Sequence, residues 1–312
     1  MCTEVSIKAK DGSVVVARTM DFAKPTGQKF KEFTNHKYKF KAKLTDISFL
    51  KWSLLECVSD GFNEKGLSIA TLWLPETEYA VKVEDKEDKL SALSLPQDIL
   101  GNCANVDEAV AMLKGKQVSL PANFIQQFAT IHLSLIDKTG KAVVVEFKEM
   151  DGKKGVPIFY KNETGVLTNA PSYPWHLENL RNWVQISPYN TTKGIINGFK
   201  LGTTGFGNNQ SGLPASATPV DRFVRVNILK NLAINHLQPK NTEEAMLLLD
   251  KLISKVEVIK GTSANHKLGN NDEVNSICGA DYDYTQWTVI KDLTKYRLYQ
   301  KSDSDLGYAE LK

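Results

Sequence analysis

The chain is poor in the residues that organise metal sites and disulfide frameworks: four cysteines and five histidines in 312 residues. Cys2, Cys57, Cys103 and Cys278 include no pair at zinc-ligand spacing, and a chain this long needs no disulfide staples. Cys57 and Cys103 sit in apolar surroundings and read as small buried hydrophobes. His36, His132, His176, His236 and His266 form no HExxH or similar cluster, so each reads as a surface or packing residue and no metal site is expected. No apolar run reaches the roughly 18 residues of a membrane span, and the N-terminus lacks the apolar core of a signal peptide. A membrane partner is therefore not expected, and a cytoplasmic location suits the thiols unless an export signal preceded this sequence. The net charge is only +3, and the basic stretch 29–43 is broken by Phe30, Glu32, Phe33 and Tyr38. It reads as a solvated strand or loop, which argues against a nucleic-acid partner. Internal repeats, low-complexity tracts and the strand–helix alternation of parallel α/β proteins are missing too.

What is present stands at the start. Cys2 follows the initiator methionine. Once Met1 is removed, one residue carries both a thiol and an α-amino group. That amine titrates near neutrality, at roughly 7.7–8.0, so it can take a proton from the thiol. Nucleophile and base are then supplied by a single N-terminal residue. Residues 2–9 alternate apolar and polar side chains and read as a strand, Lys10-Asp11-Gly12-Ser13 as a hairpin turn, and Val14 to Arg18 as the return strand. With Asp11-Gly12 as a two-residue turn, Cys2 falls opposite Asp21, about 5 Å away between Cβ atoms. Arg18 then points to the other face.

Strand patterns continue at 37–41, 47–52 and 68–74, with Asp60-Gly61-Phe62-Asn63-Glu64-Lys65-Gly66-Leu67 as a turn-rich connection. Short helices are expected at 97–103 and 106–114. Two strongly apolar strands, 130–136 and 142–147, meet at Lys138-Thr139-Gly140, and shorter strands follow at 158–160 and 165–168. A helix over 174–183 leads into a Gly/Asn/Ser/Pro-rich stretch at 186–219, long enough to be a functional or assembly element. Helices follow at 222–232 and 242–254, the second opened by Asn241 with Glu244 three residues on. Strands at 284–291 and 296–300 close the chain. Strands, then helices, then strands point to an α+β protein of stacked antiparallel sheets covered by helices.

Five features in order carry a resemblance: Cys2; Arg18-Thr19-Met20-Asp21-Phe22; Asn63-Glu64-Lys65-Gly66-Leu67; Thr168-Asn169-Ala170-Pro171; and Arg222-Phe223-Val224-Arg225. Together with the final Tyr284-Thr285-Gln286-Trp287-Thr288 strand, the set resembles the choloylglycine hydrolase family. This family of bile salt hydrolases and penicillin V acylases lies within the N-terminal nucleophile hydrolases. The resemblance spans nearly the whole chain, so residues 2–312 are expected to form a single domain. It implies a four-layer αββα sandwich and hydrolysis of a linear amide C–N bond in a small molecule, with no cofactor. It implies Cys2 as nucleophile, Asp21 as acceptor for the new α-amino group, and Arg18 as the cation that favours thiolate. Asn169 and the backbone N–H of Trp73 would hold the oxyanion, and Arg222 would close the constellation.

Trp73 stands where bile salt hydrolases usually carry asparagine and penicillin V acylases often carry an aromatic residue. A flat apolar surface suits an aromatic or apolar acyl group. The expectation is therefore a penicillin V acylase-like amidase, with Met20, Phe22, Phe62 and Trp73 lining the acyl pocket. Bile salt hydrolysis is the runner-up, acyl-homoserine-lactone cleavage a third reading, and a silent binder of the same fold a remote one. A papain-like reading needs a histidine beside the thiol, and no local signature supplies one. The 186–219 stretch resembles in position the family's assembly element, so a homotetramer is expected, or else a dimer.

Overall fold

The computed structural model describes residues 1–23, 26, 29–46, 56–83, 87–120, 130–263 and 282–312. The strand expected at 47–52, His266 and Cys278 lie outside them. Two antiparallel sheets face each other. The first has six strands, in the spatial order β12 (Val166–Leu167), β1 (Cys2–Lys8), β2 (Val14–Phe22), β15 (Tyr284–Asp292), β16 (Arg297–Ser302), β17 (Ala309–Leu311). The second has seven, in the order β11 (Lys153–Lys161), β10 (Ala142–Met150), β9 (Ile131–Asp137), β6 (Leu67–Trp73), β5 (Glu56–Asn63), β4 (Phe40–Asp46), β3 (Lys29–Phe33). Two small ribbons complete the strands: a parallel pair, β7 (Lys89–Ser91) with β8 (Gln117–Ser119), and a hairpin, β13 (Lys193–Ile196) with β14 (Phe199–Gly202).

Helices cover both outer faces. On the seven-stranded sheet, α1 (Leu95–Asn102) and α2 (Val106–Leu113) bury Leu95, Ile99, Leu100, Val106, Ala109 and Leu113 against strand residues such as Ile69, Leu133 and Val145. On the six-stranded sheet, α4 (Pro219–Leu237) and α5 (Thr242–Ile253) do the same with Phe223, Val226, Leu249 and Ile253. The short α3 (Tyr173–Asn179) runs into a 3-10 turn at Leu180–Trp183. Side-chain caps open three of these helices: Asn105 accepts from Glu108 N, Thr218 from Asp221 N and Asn241 from Glu244 N. Each such cap contributes about 1 kcal/mol. The result is the four-layer αββα sandwich. Because β2 is covered on both faces, Val14 to Ala17 form an unbroken buried apolar run.

The first hairpin differs from the two-residue turn in its register. Ala9 N donates to Ser13 O at 2.9 Å, which makes Lys10-Asp11-Gly12 a three-residue loop with Gly12 at φ +89°. The left-handed last position requires glycine, the usual form of a three-residue hairpin. One extra loop residue slides the pairing by one, so Cys2 faces Met20 and Glu4 faces Arg18. A one-residue slip reverses the parity. Arg18 therefore shares the inter-sheet face with Cys2, and Asp21 pairs with Met1. The turn expected across residues 60–67 is also shorter: Asp60 to Asn63 continue β5, and only Asn63 to Gly66 turn. Asn63 fixes this turn by accepting from Lys65 N and Leu67 N while donating to Leu100 O and Cys103 O.

Candidate active site

The antiparallel pairing of β1 and β2 places the Cys2 thiol 3.3 Å from Arg18 Nη2 and 3.8 Å from Met20 Sδ. Arg18 is fully buried and held by the facing sheet: Nη1 donates to Ser59 O at 3.0 Å and Nη2 to Thr71 O at 2.6 Å. Its guanidinium lies 5.2 Å from the centre of the Trp287 ring and 3.8 Å from Asp60. Burial works against this cation, but Cys2, Asp60 and Glu4 outweigh it and raise the guanidinium pKa. A fixed positive charge therefore sits at the sulfur.

Asn169 follows β12 and reaches the backbone of Cys2. Its Oδ1 accepts from Cys2 N at 2.6 Å and from Arg222 Nη2 at 3.1 Å. Arginine can only donate, so the amide must turn its oxygen this way. Nδ2 then donates to Trp73 O at 2.9 Å. Arg222, in the first turns of α4, is fully buried and donates from Nη1 to Cys2 O at 2.7 Å and also to Thr3 Oγ1. Burial lowers the Arg222 pKa against the pull of Asp21 and Cys2.

Asp21 pairs with Met1 through both backbones: Asp21 N donates to Met1 O at 2.7 Å, and the Met1 amine donates to Asp21 O. The Asp21 carboxylate accepts from Thr285 Oγ1 at 2.5 Å and Thr19 Oγ1 at 3.2 Å, and lies 3.7 Å from Arg222 Nη1. With Met1 attached, the single hydrogen on Cys2 N is directed at Asn169 rather than at Asp21. Asp283 also faces this end of the chain: burial raises its pKa, and the Met1 amine opposes that.

Trp73 ends β6 opposite Ile131 and is 42% exposed, so it is a rim residue rather than a core tryptophan. Met20 is buried beside the thiol, and Phe22 is half-buried at the end of β2, paired with Tyr284. Phe62 does not join them. It is fully buried and packs on Tyr296, 5.1 Å between ring centres, in the loop beyond β15 and at the opposite end of the sheet from Cys2. The strand continues through Phe62 and carries its ring into the inter-sheet core, away from Cys2.

Two histidines expected as packing or surface residues are instead buried hydrogen-bond partners of the Asn169 loop. Nε2 of His132 donates to Thr168 O at 2.8 Å, and Nε2 of His176 donates to Asn169 O at 2.9 Å. His176 stacks on Phe223 at 4.5 Å, and burial pushes it down to about 4, so it is neutral near pH 7. The helix pattern at 174–183 puts His176 near the start of the helix that follows Asn169; only cross-sheet contact reveals His132. Among the described residues no three His, Cys, Asp or Glu side chains gather where a metal could sit. What the arrangement can do is hold a thiol against a cation and an amide beside the thiol's own backbone.

Known proteins resemble this chain along nearly its whole length. Residues 2–307 match the profile of linear amide C–N hydrolases, choloylglycine hydrolase family. The chain is 30% identical to a bile salt hydrolase/transferase of Clostridium perfringens over 84% of this chain and 81% of that one. It is 31% identical to a penicillin V acylase of Pectobacterium atrosepticum over 75% and 56%, and 26% identical to a conjugated bile acid hydrolase of Lactobacillus acidophilus over 100% and 99%. Two solved structures share the fold. Conjugated bile acid hydrolase from Clostridium perfringens superposes with a TM-score of 0.83 at 23% identity, over 100% of this chain and 92% of that one. Penicillin V acylase from Agrobacterium tumefaciens gives 0.69 at 24% identity, over 100% and 86%. The chain thus belongs to the choloylglycine hydrolase family of linear amide C–N hydrolases.

Proposed function

We propose that Cys2, once Met1 is removed, is the N-terminal nucleophile of a penicillin V acylase-like amidase. The observation that carries this is the meeting, at residue 2, of side chains from three other segments: Arg18 on the sulfur, Asn169 on the nitrogen and Arg222 on the carbonyl oxygen. Loss of Met1 exchanges a peptide N–H for an amine with a lone pair. That amine takes the thiol proton, and the sulfur attacks the amide carbon. The carbonyl oxygen becomes an oxyanion, held by the second N–H of Asn169 Nδ2 and by the backbone N–H of Trp73. The C–N bond breaks as the amine proton passes to the leaving nitrogen, which leaves a thioester on Cys2. Water, deprotonated by the same amine, hydrolyses it to the free acid.

Asp21 would orient the new amine, while Met20, Phe22 and Trp73 would face the acyl group. The exposed indole of Trp73 favours a flat apolar acyl group. Relatives of both kinds support bile salt hydrolysis equally well as the second reading. We take the chain as one domain acting in a reducing compartment. The 186–219 stretch projects the β13–β14 hairpin with Ile195, Ile196, Phe199 and Leu201 exposed, which supports assembly into a tetramer, or else a dimer. The test is a turnover panel of penicillin V, glyco- and tauro-conjugated bile salts and long-chain acyl-homoserine lactones. It is run on the wild type and Cys2→Ala, with intact mass to establish the N-terminus. Turnover of penicillin V that Cys2→Ala abolishes is expected. Preference for bile salts would move the reading to the runner-up, and hydrolysis unchanged in Cys2→Ala would remove the mechanism.

A further inference from the structure

Strand register brings an unusual set of charges together directly behind Cys2. In the first sheet Glu4, Arg18 and Val289 form one cross-strand row; in the second, Ser134, Ala70 and Asp60 form another. The rows face each other across the space between the sheets, with Ala70 the small residue at the centre of its row. Lys291, two residues beyond Val289, places Nζ 2.7 Å from Asp60 Oδ2 and 3.5 Å from Glu4 Oε1. Asp60 in turn lies 3.8 Å from Arg18, which donates to the Cys2 sulfur. None of Glu4, Arg18, Asp60 and Lys291 is more than 1% exposed.

Stability alone does not explain such a cluster. Buried ion pairs repay their desolvation poorly, and apolar residues of similar size often serve as well or better. Several of the polar atoms here, both Glu4 carboxylate oxygens, Asp60 Oδ1 and Arg18 Nε, are buried without a hydrogen-bond partner among the described residues.

We propose that Asp60 and Lys291 are positioning residues that hold Arg18 against Cys2 and keep the charge behind its thiolate positive. This rests on reading Cys2 as the nucleophile. Two cations face two carboxyls. Lys291 is the nearer partner of Asp60, so it draws that carboxylate away from Arg18 and leaves the guanidinium to its two carbonyls and the sulfur. Burial raises the Glu4 pKa, and Lys291 opposes it. Lys291 adds a positive charge behind Arg18, which favours a thiolate at Cys2. Three other charged groups surround this point. Lys43 of β4, the cross-strand partner of Asp60, lies 5.4 Å from the Trp287 ring centre and donates to Gln300; burial pushes it down to about 8, and Asp60 opposes the shift. Asp21 and Arg222 face each other on the backbone side of Cys2.

The test is the rate at which iodoacetamide alkylates Cys2, read from the mass of the N-terminal peptide. The described bystander thiols are slow, because burial pushes Cys57 and Cys103 up to about 11. Lys291→Met is expected to slow alkylation at pH 7 by about tenfold, the effect of removing one nearby buried charge. Glu4→Gln, which takes a carboxyl out of the cluster, is expected to keep or exceed the wild-type rate, and Lys291→Arg to keep it. A wild-type rate in folded Lys291→Met overturns the proposal, as does slowing in Glu4→Gln equal to that in Lys291→Met. If Lys291→Met does not fold, slowed alkylation in folded Lys291→Arg overturns it instead. Alkylation needs no turnover, so failure here is separate from failure of the nucleophile reading, which shows only in hydrolysis by Cys2→Ala.

Discussion

Acid should weaken this fold through His176, and the size of the effect follows from its burial. The imidazole is fully buried between the Asn169 loop and Phe223, donates from Nε2 to Asn169 O, and has no partner at Nδ1 among the described residues. Burial lowers its pKa from 6.5 to about 4. Between those values the unfolded chain binds a proton that the folded protein refuses, so stability falls as pH drops from 6.5 and levels off below about 4. The linkage integral from pH 7 to pH 4.5 is about 2–3 kcal/mol. His176→Gln keeps an N–H donor for Asn169 O and removes the titration. Urea unfolding followed by tryptophan fluorescence, at pH 7 and pH 4.5, should show the wild type losing about 2–3 kcal/mol more than His176→Gln on acidification. Carboxylates titrate in both proteins and cancel in the difference. Parallel pH dependences would refute the reasoning.

Other outcomes follow from single contacts. Asn169→Ala should lower kcat by about a hundred- to a thousandfold, the cost of one oxyanion donor, with the fold kept as judged by circular dichroism. Gly61→Ala should destabilise by about 1–3 kcal/mol in the same urea assay, because its Cβ would sit 2.7 Å from Lys41 O and 2.9 Å from Leu100 Cδ1. Trp73→Asn, which keeps the backbone N–H but removes the indole, should raise KM for an aromatic acyl substrate more than it lowers kcat. Equal loss in both parameters for every substrate would show that the indole does not contact the acyl group.

How far the sequence reveals this site depends on the range of the interaction. Cys2, Arg18 and Asp21 were visible because a short hairpin brings them together within twenty residues. Their relative faces were not, because Asp11-Gly12 fits both a two-residue turn and the last two positions of a three-residue loop; only the bond from Ala9 N to Ser13 O separates the two. Family resemblance pointed to Asn169 and Arg222, and the structure puts both in hydrogen-bond contact with the Cys2 backbone. Phe62 lies away from Cys2 because β5 continues through a segment whose turn-rich composition hides the strand. Glu4 and Lys291 gave no signal: in one dimension each is a polar residue in an alternating strand. Only the pairing of β2 with β15 and the stacking of the two sheets bring them to Arg18. The same holds for His132, whose partner Thr168 comes from the facing sheet.

The most direct measurement is mass spectrometry of the N-terminal peptide during turnover of a slow linear amide, with acid quench to trap the thioester. The account predicts a peptide that begins at Cys2, lacks Met1 and carries the acyl mass on sulfur, with the adduct lost in Cys2→Ala. Turnover by a chain that retains Met1, or an acyl group found on any other residue, would contradict it.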